Sequence, residues 1–183
     1  MLNKCLDDHI EVSKKMVNLL PNITEASILC IDALKNGNKI LLCGNGGSAA
    51  DAQHIAAELS GRFKKERIAL AGIALTTDTS AITAIGNDYG YDFVFSRQLE
   101  ALGREGDVLI CISTSGNSKN VLNAMLSAKK INIKTITLTG KTGGKMSRQG
   151  NINIVIPSDD TPRIQEMHII VGHMICAMID KSF

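Results

Sequence analysis

The sequence has no tryptophan, and aromatic residues make up only 3% of its 183 positions. It also lacks an excess of charge of either sign, with 20 Lys and Arg against 18 Asp and Glu for a net of +2. A nucleic-acid surface needs surplus cations to meet phosphates and, for single strands, rings on which bases stack, so both shortages argue against nucleic acid as a partner. The longest uncharged apolar stretch near the carboxyl end, 167–179, is interrupted by His168 and His173 and falls short of the roughly 20 residues of a membrane span. The first residues carry Asp7, Asp8 and Glu11 where an export signal has its apolar segment, so neither a signal nor a membrane partner is expected. There is no Cys-x-x-Cys pair among the five cysteines. Their odd number, and the apolar runs around Cys43 and Cys111, read as reduced buried thiols in a cytoplasmic protein.

What remains is the composition of one globular chain, 44% hydrophobic and 21% charged, without Pro- or Ser-rich tracts. A single domain of this length buries on the order of 70% of its unfolded surface. Two stretches with helical spacing open it: Leu2, Leu6, Ile10, Met16, Val17 and Leu20, then, after Pro21, Ile23 to Lys35, stopped by Gly37. Beyond this helical extension, 1–36, runs rich in Ile, Val and Leu alternate with helix-like segments across 37–183. The runs are Lys39–Cys43, Ala69–Leu75, Asp107–Ile112, Lys134–Leu138 and Asn153–Ile156. They lack polar alternation, which suits strands covered on both faces, and predict an α/β fold of three layers around a five-stranded parallel sheet.

In such a sheet, ligands collect at the carboxyl ends of the strands, where loops feed helix N-termini. The loop Ser113, Thr114, Ser115, Gly116, Asn117, Ser118 offers four hydroxyls and a carboxamide directly before an apolar-periodic helix, the makings of a phosphate cradle. An ordinary helix cap would account for one or two of those polar residues. Gly44, Asn45, Gly46, Gly47 and Ser48 strip side chains from another strand-to-helix turn, and Ser48 with Asp51 suggests a start like a capping box. Neither this turn nor Gly140-Lys141-Thr142 has the spacing of a nucleotide-binding loop.

His54 and Glu58, four residues apart, share a helix face and can hold a divalent metal, move protons, or simply form a solvated pair. A last helix starting at Thr161-Pro162 carries Gln165, Ile169 and His173 along a drifting stripe. His173, set among Val171, Gly172, Met174 and Ile175, reads either as a satisfied core histidine or as a functional one.

The strings CGNGGSAADAQH, AIGNDYG, FSRQLEALGREGDVLICISTSGNS and RIQEMHIIVGH resemble the phosphoheptose isomerases, within the wider group of sugar-isomerase (SIS) domains, over nearly the whole chain. The resemblance implies a flavodoxin-like sheet, one SIS domain over 1–183, and a homotetramer with active sites between subunits. It implies zinc held by His54, Glu58, Gln165 and His173, with Glu58 and His173 also the acid/base pair. It implies phosphate held by Ser113, Thr114, Ser115 and Ser118, and sugar held by Asn45, Gly46, Asn87, Asp88 and Gln165. The implied reaction converts sedoheptulose 7-phosphate to D-glycero-D-manno-heptose 7-phosphate, the first step toward ADP- or GDP-heptose, for lipopolysaccharide or capsule alike. Related non-catalytic proteins that bind the replication initiator share the fold and the phosphate loop but lack the Glu and the final His. This chain keeps both.

The chemistry agrees with the residue types. Moving a hydrogen from C1 to C2 through an enediolate needs a carboxylate near carbon and an acid/base group near oxygen. One geometric point stands apart from the resemblance: eight residues separate Gln165 from His173, about 12 Å along a straight helix and roughly 80° around it. One metal meets both only if the helix breaks near Gln165 or if another subunit supplies one of them.

Overall fold

Each expected strand forms at its expected place. The computed structural model describes residues 1–183, with β1 (Ile40–Gly44), β2 (Gly72–Ala74), β3 (Val108–Ser113), β4 (Lys134–Thr139) and β5 (Ile152–Val155). All neighbours pair in parallel in the order β2-β1-β3-β4-β5. β1 and β3, at the centre, are buried at every position, as strands between two helical layers must be. One face packs on α2 (Leu20–Lys35), α3 (Gly47–Ser60) and α7 (Thr161–Asp180); the other packs on α5 (Val94–Leu102) and α6 (Lys119–Lys130). The helix after β1 and the helix after β3 therefore leave toward opposite faces. Their loops part between adjacent strands and open the crevice typical of such sheets at the carboxyl ends.

The amino-terminal extension differs from expectation in one respect. The break predicted at Pro21 is absent: α1 (Leu2–Lys15) runs through a 3-10 turn, Met16–Leu19, into α2, with Pro21 in the first turn of α2. The missing N–H of proline costs nothing there, because first-turn amides have no partner in the helix. α1 docks on α7 where His9 Nδ1 meets Glu166 Oε2 at 2.8 Å and Arg163 bridges the Cys5 carbonyl and Glu166. By length and hydropathy the run Leu2–Lys35 would pass for a membrane span, yet its α2 half contributes Ile23, Ala26, Cys30 and Leu34 to the core. The stripe Leu2, Leu6, Ile10, Val17 and Leu20 is left exposed, at 43–76%.

α7 is unbroken through its 20 residues, with Asp160 rather than Thr161 at its cap. It buries His168 completely, so that the imidazole has one partner, the Thr139 carbonyl at 3.2 Å from Nε2. Burial pushes this imidazole down to about 4. A folded value below the unfolded one, near 6.5, means that the unfolded chain binds the proton better. His168 therefore leaves stability whole above pH about 6.5 and erodes it as pH falls toward 4, by on the order of 3 kcal/mol at the limit. Urea unfolding should show His168→Gln losing less stability than the unsubstituted chain between pH 7 and pH 4. Parallel losses would contradict this.

Candidate active site

β1 ends at Gly44 and α3 begins three residues later, a turn that glycine makes possible. Gly46 has φ +57°, and a Cβ on Gly47 would run into the side-chain amide of Gln165. The turn thus lets α7 lay Gln165 against the first turn of α3. The capping box expected of Ser48 and Asp51 does not form: α3 begins before Ser48, so Ser48 is already inside the helix and Gly46 occupies the cap. Asp51 instead keeps one buried oxygen without a partner, and burial pushes its carboxyl up to about 6 against the opposing pull of His54.

Asn45 is fixed more firmly than its place in a glycine turn suggested. Its carboxamide pairs reciprocally with that of Asn120 at 2.9 and 2.8 Å, and the Tyr91 hydroxyl donates to its Oδ1 at 2.9 Å. This network ties the β1 turn to the start of α6 and leaves Asn45 one side-chain N–H to offer. Neither Asn120 nor Tyr91 stood out in the sequence, since only packing brings them to Asn45. Asn87 and Asp88 close α4 (Thr79–Asp88), exposed and joined by a 2.8 Å hydrogen bond, just before the turn that carries Tyr91.

The hydroxyl loop after β3 does not behave as a helix cap. Ser118 holds the cap position of α6 without a side-chain cap bond, and its Oγ lies 2.9 Å from Ser113 Oγ, with Ser115 Oγ 3.4 Å from the same atom. Three hydroxyls thus converge before a helix N-terminus whose dipole favours an anion. Thr114 is half-buried beside them, and its carbonyl accepts from Gly140 N–H. The Gly140–Lys145 segment, which carries the Gly-Lys-Thr string, braces this loop: Lys145 N–H donates to Asn117 Oδ1, and Gly116, at φ +64°, lies against Gly143.

Glu58 and His54 do face together on α3, with His54 Nε2 3.0 Å from Glu58 Oε1. His173 of the same chain joins them from α7, and one ligand atom from each of the three lies within 4.8 Å of the others. The His173 ring stands edge-on to His54, at 5.1 Å and 75°, and is stacked by Phe63 at 5.3 Å and 27°. Its Nε2 is buried with no hydrogen-bond partner. A buried imidazole nitrogen left unpaired beside a carboxylate and a second imidazole is not a satisfied core histidine. The N, O, N donor set suits a divalent transition metal, so these residues form a group able to hold one.

Gln165 lies elsewhere. It rests against Gly47, at the other end of the α3–α7 seam, because both helices run on without a break. The unwinding considered from the sequence does not occur. A cleft of about 830 Å³ is also remote: it is lined by Glu105, Lys129, Lys134 and Arg148, among others, at the amino ends of β3 and β4.

Comparison with known proteins gives the family and the fold. The SIS domain family model matches residues 7–140. The phosphoheptose isomerase of Aliarcobacter butzleri is 63% identical over 175 residues, 95% of this chain and 93% of that protein. The phosphoheptose isomerase of Campylobacter jejuni (serotype O:6) is 59% identical over 183 residues, 100% of this chain and 98% of that one. The chain belongs to the phosphoheptose isomerase family of SIS-domain proteins. The solved phosphoheptose isomerase structure from Neisseria gonorrhoeae superposes with a TM-score of 0.94 at 47% identity, covering 98% of this chain and 97% of that one. The α/β sheet with its long helical amino terminus is thus the architecture of the phosphoheptose isomerases.

Proposed function

We infer that the chain is an aldose–ketose isomerase that interconverts sedoheptulose 7-phosphate and D-glycero-D-manno-heptose 7-phosphate, and that His54, Glu58 and His173 are its reacting centre. The observation that carries this reading is the meeting of Glu58 and His173 in one chain, in a protein 59–63% identical to phosphoheptose isomerases over at least 95% of its length. The rival reading, a non-catalytic SIS regulator, has no use for that pair.

In the proposed mechanism the Glu58 carboxylate takes the proton from C1 of the ketose, leaving an enediolate, and returns it to C2. His173 carries the accompanying proton from O1 to O2, so that atoms and charge balance with no redox cofactor. Ser113, Thr114, Ser115 and Ser118 hold the phosphate with the α6 N-terminus. Asn45, Gly46, Asn87, Asp88 and Gln165 face the sugar. Zinc, one per subunit, is the metal proposed for His54, Glu58 and His173; bound there it would polarise the carbonyl and stabilise the developing oxyanion by several kcal/mol.

We propose further that Gln165 reaches such a metal group from a neighbouring subunit of a homotetramer, with sites at the interfaces. Two features support this: the unbroken helix that keeps Gln165 about 12 Å along the axis from His173 of its own chain, and the exposed apolar stripe along α1, which offers a face for assembly. A cytoplasmic enzyme of one SIS domain fits four buried free thiols out of five.

The test is incubation with sedoheptulose 7-phosphate, with and without added zinc, followed by NMR of the sugar. Conversion to the aldoheptose phosphate is expected, and its absence under both conditions would refute the reading. In the same assay Thr114→Val with Ser115→Ala should raise KM at least about tenfold, since each lost bond to a charged phosphate is worth roughly 1.5–3 kcal/mol. An unchanged KM would return the loop to a purely structural role.

A further inference from the structure

Nothing in a histidine fixes the plane of its own ring, because rotation about the bond from Cβ to the ring is broad and nearly two-fold. For His173, which rests on the functional reading above, neighbours fix it. Phe63 covers one face at 5.3 Å and His54 stands against it edge-on. Phe63 belongs to the segment after α3, which has no strand or helix of its own to hold it. Besides the packing of its ring on the core, what holds it is a buried ion pair.

Arg67 and Asp180 have side-chain exposures of 1% and 7%, with Nε 2.9 Å from Oδ1. The other carboxylate oxygen of Asp180 accepts from the Lys64 and Lys65 amides at 2.8 and 2.9 Å, immediately after Phe63. Burial alone would raise the Asp180 carboxyl, but these amides and the guanidinium hold it below the ordinary carboxylate range. The guanidinium also donates to the carbonyls of Glu58 at 2.7 Å and of Leu59 and Ile68 at 2.9 Å. Asp180 is seven residues beyond His173, two helical turns on the same side of α7. One guanidinium therefore grips the backbone of the residue that supplies the carboxylate and the helix that supplies the imidazole. The same carboxylate pins the segment that sets a ring on that imidazole.

We propose that Phe63 is a positioning residue for His173, and that the Arg67–Asp180 pair is the clamp that holds Phe63, Glu58 and His173 in register. Phe63 touches no reacting atom; it acts by keeping the His173 ring in one plane and by covering the face next to its unpaired nitrogen. A catalytic group displaced by about 1 Å can lose on the order of 100-fold in rate, so the effect should fall on turnover rather than on substrate binding.

The test compares the purified enzyme with Phe63→Leu, Phe63→Tyr and His173→Ala, reading kcat and KM for sedoheptulose 7-phosphate and the NMR signals of the His173 ring protons. Phe63→Leu should lower kcat roughly 10- to 100-fold at unchanged KM, and the ring protons should lose the shift caused by the stacked ring. Phe63→Tyr keeps the ring and should restore both. Asp180→Asn, if it folds, should show the same kinetic pattern together with faster amide exchange at Lys64 and Lys65. Wild-type kcat in Phe63→Leu, or a Phe63→Tyr enzyme as impaired as Phe63→Leu, would overturn the positioning role. Full turnover in His173→Ala would instead overturn the role of His173 itself, a failure distinct from that of Phe63.

Discussion

Glu58→Gln should lower kcat for sedoheptulose 7-phosphate by about 10²- to 10⁴-fold, the usual worth of a positioned acid/base group. The substitution keeps the shape of the side chain and one oxygen to lie near His54 Nε2, now 3.0 Å from the carboxylate, so folding and sugar-phosphate binding should survive almost unchanged. A carboxamide cannot accept a proton from carbon. Exchange of the C1 hydrogen with solvent deuterium should therefore disappear along with turnover. Activity above a tenth of the unsubstituted level would remove Glu58 as the base. Solvent label at C2 of product formed by the native enzyme would exclude a hydride shift between the two carbons.

Much of this architecture is legible in the residues because it rests on local signals. Runs such as Leu41–Cys43 and Leu109–Ile112, short and apolar at every position, suit strands covered on both sides. The four-residue spacing of His54 and Glu58 brings them to one helix face whatever the rest of the chain does. Less legible is whatever depends on helices meeting. Phe63 stands in a polar, charged string, Gly61 to Arg67, that reads as a surface loop, and only the buried pairing of Arg67 with Asp180, 113 residues on, turns it toward His173. Asn120 and Tyr91 reach Asn45 across gaps of 75 and 46 residues. The start of α3 misleads for a related reason: Ser48 and Asp51 have the look of a cap, but the helix begins before Ser48, and the pattern of residue types cannot fix that register. Pro21 misleads because its effect depends on its position in the helix, harmless in a first turn and disruptive in the interior.

The seam between α3 and α7 also answers a question the sequence left open. Gly47 meets Gln165 and Ile55 meets Gly172, so the two helices run alongside each other with His54, Glu58 and His173 gathered at one end and Gln165 at the other. The proposed acid/base pair, Glu58 and His173, therefore meets within a single chain, whichever subunit supplies the glutamine. The most direct test mixes two inactive enzymes, Glu58→Gln and His173→Ala, and assays isomerisation after subunit exchange has been verified by mass spectrometry. Every chain in the mixture lacks one member of the pair, so activity should stay at the level of the separate variants. Recovery toward the statistical share of doubly intact sites would show that Glu58 and His173 work from different chains, and would contradict the single-chain pair.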